Sequence, residues 1–264
     1  MILNVIVCYL LQIVLTIGII FLFGFLIALC NRLFYANFGN YGKAVCYITG
    51  AIGTPLHECS HALFCIIFGH RITEIKLFQI NSDDGTLGYV NHSYNSKNIY
   101  HRIGNFFIGI APIVVISSLL YLIAYFLLPN FVSNINVDFD TSDFKSNLAF
   151  LFVGLGETIK SFFLCATTWQ WWVFVFVGML LSLHMTLSVA DIKGALDGLL
   201  FVLTALLIVD IVFGAVQSNL LANFTNGVLT VSSYLLTILT LALIISIISV
   251  AISFIFRLFG RKRG

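Results

Sequence analysis

Six long runs of apolar residues organise the chain, at Asn4–Leu29, Ala44–Gly69, Ile103–Leu128, Trp171–Thr186, Gly198–Gln217 and Gly227–Phe256. About 20 apolar residues in a helix cross the hydrocarbon core of a bilayer, so each run reads as a transmembrane helix, the fourth being the shortest. Charged residues make up only 9% of the chain and hydrophobic ones 60%, where a soluble domain carries about 25% charge. So few charges cannot cover a water-exposed surface, and the surplus apolar surface requires lipid. The first run is far longer than a signal-peptide core of about 7–15 residues and reads as a retained span. The expected fold is therefore an all-α polytopic membrane protein, a single membrane-embedded domain over residues 1–264 with about six transmembrane helices.

Basic residues orient the spans, because Lys and Arg concentrate on the cytoplasmic side. The tail containing Arg257, Arg261, Lys262 and Arg263 is expected there, and six spans then place the N-terminus on the same side. Arg71, Lys76, Lys97 and Arg102 follow the second run and fall inside. The segment with Asp138, Asp140, Asp143 and Glu157 falls outside, while Arg32 and Lys43 run against the trend. Within the inner segment, Ile72–Ile80 and Thr86–Asn91 have strand-like composition around an Asp84-Gly85 turn signal, which predicts a small cytoplasmic β-hairpin. A net charge of +2 offers no basic face to displace counterions, so nucleic acid is excluded as a partner. The six cysteines form no CxxC pair and read as small apolar packing residues.

Chemistry is concentrated at residues 57–61, His-Glu-Cys-Ser-His, which match HExxH. On a helix, His57 and His61 lie one turn apart on one face, so two imidazoles can hold one metal ion. Glu58 lies beside them, where it can act as general base on a water that the metal activates. Ionisable groups within an apolar span carry a desolvation cost and need a reason to be there. Pro55, just before the motif, removes a backbone donor and bends the helix.

Hydrolytic zinc sites usually have three protein ligands and one open position. The third is sought in the polar break His184–Gly194, where Ser188 and Asp191 have the spacing of a capping box that ends one helix and starts another. HExxH in an early span, a β-rich inner segment and a later polar break with an acidic residue together resemble the site-2 protease family of intramembrane zinc metallopeptidases. The resemblance covers about Gly53–Gly198. That family's later motif reads approximately Asn-x-x-Pro and then Asp-Gly, and its aspartate completes the zinc site. By this resemblance His184 takes the Asn place, Ser188 falls near the Pro place and Asp191 takes the ligand place. The sequence departs from the pattern: Asn-x-x-Pro is missing, Ile192 follows Asp191, and a literal Asp197-Gly198 occurs downstream. Asp197 is thus a rival to Asp191, and His184 is either a ligand itself or a catalytic group stabilising the oxyanion.

The resemblance implies an intramembrane zinc metalloprotease, with zinc held by His57, His61 and Asp191 and with Glu58 and His184 as catalytic residues. It also implies membrane-anchored protein or peptide substrates, in a lipid bilayer expected to be a bacterial cell membrane. Two other classes compete. A non-catalytic zinc-binding scaffold or regulator is disfavoured by the intact Glu58. An ion-coupled transporter is disfavoured because no paired halves with matching broken helices occur. Asp210 is expected to hydrogen-bond to a neighbouring helix, and Asn105 and Pro112 to mark a close helix contact near the site. Oligomeric state is not legible in the residues.

Overall fold

The computed structural model describes residues 2–80, 82, 85–132 and 155–260. All six apolar runs are helical. Helix α1 is Ile2–Asn37, with a π-helical turn at Val14–Gly18, and α2 is Gly42–Ile67. Strands β1 (Arg71–Lys76) and β2 (Tyr89–Ser93) follow, then α3, Ile99–Leu127. Helices α4 (Leu155–Thr167) and α5 (Trp169–Ser182) meet at a sharp bend. Helix α6 is Val189–Val216 and α7 is Ser218–Gly260.

Four helices, α1, α3, α6 and α7, are long and apolar enough to cross a bilayer; α4 and α5, bent by 118°, make a fifth if they form one broken span. Helix α2 is long enough but is less apolar, because it carries His57, Glu58 and His61. The chain is an all-α polytopic membrane protein with one small antiparallel sheet.

Besides the longer α1 (to Asn37 rather than Leu29) and α7 (from Ser218 rather than Gly227), three features differ from expectation. Between the third and fourth runs, read as an outer loop, the chain forms α4; Asp138, Asp140 and Asp143 lie outside the described residues. Helix α5 ends at Ser182 rather than Thr186, and α6 starts at Val189 rather than Gly198. Local chemistry explains the second and third. Ser188 Oγ accepts from the Asp191 backbone N–H at 3.1 Å, and Asp191 Oδ2 accepts from the Ser188 N–H at 2.7 Å, a capping box that starts α6 early. At the preceding end, the Ser182 carbonyl accepts from Asn31 Nδ2 at 2.9 Å and from the Met185 backbone N–H at 3.2 Å, in place of an i+4 partner.

The hairpin forms, with Ile72 opposite His92 and Ile75 opposite Val90. Its second strand lies further along the chain than expected, at Tyr89–Ser93; Asp84 of the expected turn is outside the described residues, and Gly85 has φ +77°.

The core joins α1, α3, the end of α5 with the break after it, and α7 through Ile27, Ile113, Leu120, Leu181, Met185 and Leu239. Helices α3 and α6 pack closely because Gly198 faces the backbone of Arg102 and Phe106, while Gly109 faces Ala195. Small residues allow such approach between membrane helices. Asp210 is fully buried and accepts from Gln12 Nε2 at 3.1 Å; the same amide reaches Thr225 Oγ1 at 2.9 Å. This contact ties α1, α6 and α7 together.

A histidine clasp ties the hairpin to the end of α2. His70 Nε2 donates to the His101 carbonyl at 2.9 Å. Because a carbonyl only accepts, Nδ1 of neutral His70 has no hydrogen and accepts from His92 Nδ1 at 3.0 Å. Burial pushes both imidazoles below the ordinary histidine pKa, and for His92 the neighbouring His70 and His61 add to the shift. A depressed histidine pKa means that the unfolded state binds protons more readily. The clasp therefore contributes fully above about pH 6.5 and weakens as pH falls through the lowered values. The protection factors of the amides at residues 89–93, exchange rates corrected for the intrinsic pH dependence, should fall on acidification below about pH 6.5, and His70→Ala should remove most of this change.

Candidate metal centre

Helix α2 brings the two motif histidines together. Their Nε2 atoms lie 3.1 Å apart, and each Nδ1 is held by a backbone carbonyl. His57 Nδ1 donates to the His184 carbonyl at 2.9 Å, and His61 Nδ1 donates to the Ile108 carbonyl at 2.8 Å. These bonds set the tautomers and turn both Nε2 lone pairs towards one point. Asp191 arrives from the first turn of α6, with Oδ1 at 3.2 Å from His61 Nε2 and Oδ2 at 3.7 Å from His57 Nε2.

Ligand atoms of His57, His61 and Asp191 all lie within 4.8 Å of one another, the one such group of three or more among the described residues. Two imidazole nitrogens and a carboxylate oxygen form a donor set suited to zinc with an open fourth position. Gly109, against the Asp191 backbone, lets α3 approach this point closely.

Glu58 is only 6% exposed, and its carboxylate opens on a groove of about 290 Å³ that His57, His61 and Asp191 also line. The opposite wall is the chain leading into and along β2. Gly88 makes this wall possible: a Cβ there would lie 2.8 Å from Glu58 Cγ and 2.9 Å from both Thr54 Cγ2 and the Lys76 carbonyl oxygen. A side chain at this position would force Glu58, Thr54 or the strand backbone to shift.

His184 corrects an expectation. Its backbone reaches the site, but its ring does not. Ring Nε2 lies 3.1 Å from Thr49 Oγ1 and 3.3 Å from Tyr35 Oη, and Nδ1 lies 3.5 Å from Thr54 Oγ1. The ring packs on Gly53, and both its nitrogens are engaged by hydroxyls. Asp197, the rival acid, is also engaged elsewhere: Arg102 Nη2 donates to it at 2.9 Å, Asn105 Nδ2 at 2.7 Å and Tyr94 Oη at 3.1 Å. Sequence reasoning missed the carbonyls of Ile108 and His184, Gly88, and the presence of His92 in the groove; it placed Asn105 near the site without a role. The Ile108 carbonyl had a signal in Pro112, which withholds the i+4 N–H from it, whereas the His184 carbonyl has no residue signature. The glycine-marked approach to β2 was a weak signal.

Residues 50–153 match the model of the DUF3267 family, described as "Putative zincin peptidase". The matched stretch contains His57, Glu58 and His61 and ends before Asp191. Comparisons with the curated proteins and with the solved structures give no match. Motif, donor set and family match all point to a zinc peptidase.

Metal analysis checks the donor set. Purified full-length protein should bind about one zinc per chain, since hydrolytic sites of this type hold one ion. His57→Ala, His61→Ala and Asp191→Asn should each lose most of it, the last while keeping a capping side chain. Asp197→Ala should retain it; loss of zinc from Asp197→Ala with retention by Asp191→Asn would overturn the assignment.

Proposed function

We propose that this chain is an intramembrane zinc metalloprotease of the site-2 protease type, cleaving peptide bonds of membrane-anchored proteins or peptides. The observation that carries this reading is the convergence of His57, His61 and Asp191 beside the open carboxylate of Glu58, within a bundle of apolar helices. His57, His61 and Asp191 would hold the zinc. When bound, zinc supplies a Lewis acid that polarises a carbonyl and makes water more acidic.

The chain's own groups supply the rest. Glu58 accepts the proton of the attacking water and returns it to the departing amine. The carbonyls of His184 and Ile108 keep the two imidazoles aimed, so His184 acts as a positioning residue through its backbone. Asp191 takes the place of the aspartate in the site-2 protease motif.

Strand β2 has a sheet partner, β1, on one edge, and residues 88–92 line the groove. An unwound substrate segment can lie extended along this wall by strand addition, which exposes carbonyls that a helix would hide. Apolar helices on both sides of the site support delivery of that segment from within a membrane, with both termini of the enzyme cytoplasmic.

Co-reconstitution in liposomes with a panel of single-span membrane proteins tests the reading, with cleavage products identified by mass spectrometry. Glu58→Gln keeps the shape and the metal ligands but removes the base, so cleavage should fall by about 100-fold or more with zinc content unchanged. Undiminished cleavage by this variant would overturn the mechanism. Gly88→Ala should likewise retain zinc and lose most turnover, because its Cβ crowds Glu58 Cγ and the approach of the strand to it.

A further inference from the structure

We propose that Asn105 is a substrate-binding residue: its Oδ1 accepts a backbone N–H of an extended peptide in the groove, and Asp197 holds the amide in that orientation. The inference rests on the peptidase reading of the groove and adds a contact to it.

Asn105 lies near the start of α3 and is 5% exposed, and it lines the groove. Its Nδ2 donates to Asp197 Oδ2 at 2.7 Å. A carboxylate only accepts, so the amide cannot turn over without placing two acceptors against each other. Oδ1 is therefore directed away from Asp197. It meets no donor among the described residues, and it is not sealed inside the protein. An acceptor open to a largely apolar groove is an acceptor for a ligand.

Asp197 is itself fixed from several sides. Arg102 donates to Oδ1 at 2.9 Å and Tyr94 to Oδ2 at 3.1 Å, and the Arg102 guanidinium lies 4.4 Å from the Phe201 ring centroid. This network joins α3, α6 and the chain just beyond β2. It gives a purpose to an acidic residue that stands near the metal centre without joining it. Asp197 is a positioning residue, acting through Asn105.

The placement relative to the metal centre is rigid. One turn beyond Asn105, the Ile108 carbonyl holds His61, and Gly109 lies against Asp191. The same stretch of α3 thus aims a metal ligand and presents Oδ1. The facing wall is β2. An extended peptide presents backbone N–H groups on both edges, and one lying along β2 turns its second edge towards α3. A single fixed acceptor there suits one peptide N–H close to the scissile bond.

The test needs no natural substrate. The probes are acetohydroxamate, which binds zinc alone, a dipeptidyl hydroxamate, and the same dipeptide N-methylated at each backbone nitrogen in turn. Dissociation constants are measured on zinc-loaded, full-length protein in detergent. For the wild type, methylation at one nitrogen should weaken binding by about 5-fold, the scale of one hydrogen bond, beyond its effect at the others. In Asn105→Ala that preference should fall to near unity while acetohydroxamate binds as before. Asp197→Asn, which leaves α3 intact but allows the Asn105 amide to turn over, should reduce the preference too, and it decides the matter if Asn105→Ala does not fold. An unchanged preference in a folded, zinc-loaded variant overturns the role of Asn105 and leaves the peptidase reading standing. Failure of acetohydroxamate to bind the zinc-loaded wild type overturns both.

Discussion

An imidazole placed within an apolar helix bundle must find partners for both nitrogens, because an unmatched polar atom there keeps its full desolvation cost. His57 and His61 meet this constraint with one backbone carbonyl each, from His184 and Ile108. The demand fixes more than ring orientation. A carbonyl inside a regular helix is ordinarily bonded to its own i+4 N–H; the Ile108 carbonyl is free within α3 because Pro112, four residues on, has no N–H, and the His184 carbonyl is free because the chain has left α5 there. The break between α5 and α6 and the metal pair are thus two sides of one arrangement.

That break has further consequences. Once α5 ends, a new helix must start, and the Ser188–Asp191 capping box starts it. The box places Asp191 on the first turn of α6, and the close contact of α3 with α6 at Gly109 brings that turn onto the two histidines. Asp191 therefore does two jobs with one carboxylate, capping a helix and facing the His57–His61 pair. On the open side, the hairpin covers the site because Gly88 lets it approach Glu58 and because the His70–His92 contact anchors its far end. The wall of the groove is held at two points and is lined by backbone between them.

Much of the fold was legible before any tertiary information. Apolar run length predicts helices reliably because lipid leaves the backbone few alternatives, and all six runs are helical. Their ends were less legible: α5 stops at Ser182, whose carbonyl accepts from Asn31, a residue distant in sequence. Helix α4 was missed because a short helix folded back at 118° lacks the length that marks a span. The hairpin was recognised from β-type composition and Gly85, but its second strand was placed too early. Register depends on which side chains meet across the sheet, and His92 is held in place by His70 from outside it.

For the site, sequence alone determined the metal pair and the adjacent carboxylate. Helical periodicity puts His57 and His61 on one face, whatever the rest of the chain does. For the third ligand the sequence favoured Asp191, by spacing and resemblance, and kept Asp197 and His184 as rivals. Tertiary structure separated them. Asp191 and Asp197 sit six positions apart on α6, about 240° around the helix at 100° per residue, so when α6 packs on α3 only one can face the His57–His61 pair. The other turns to Arg102 and Asn105. His184 contributes its carbonyl and turns its ring to Thr49 and Tyr35. Such choices depend on which neighbour each side chain meets, and those neighbours come from helices that only the folded bundle brings together.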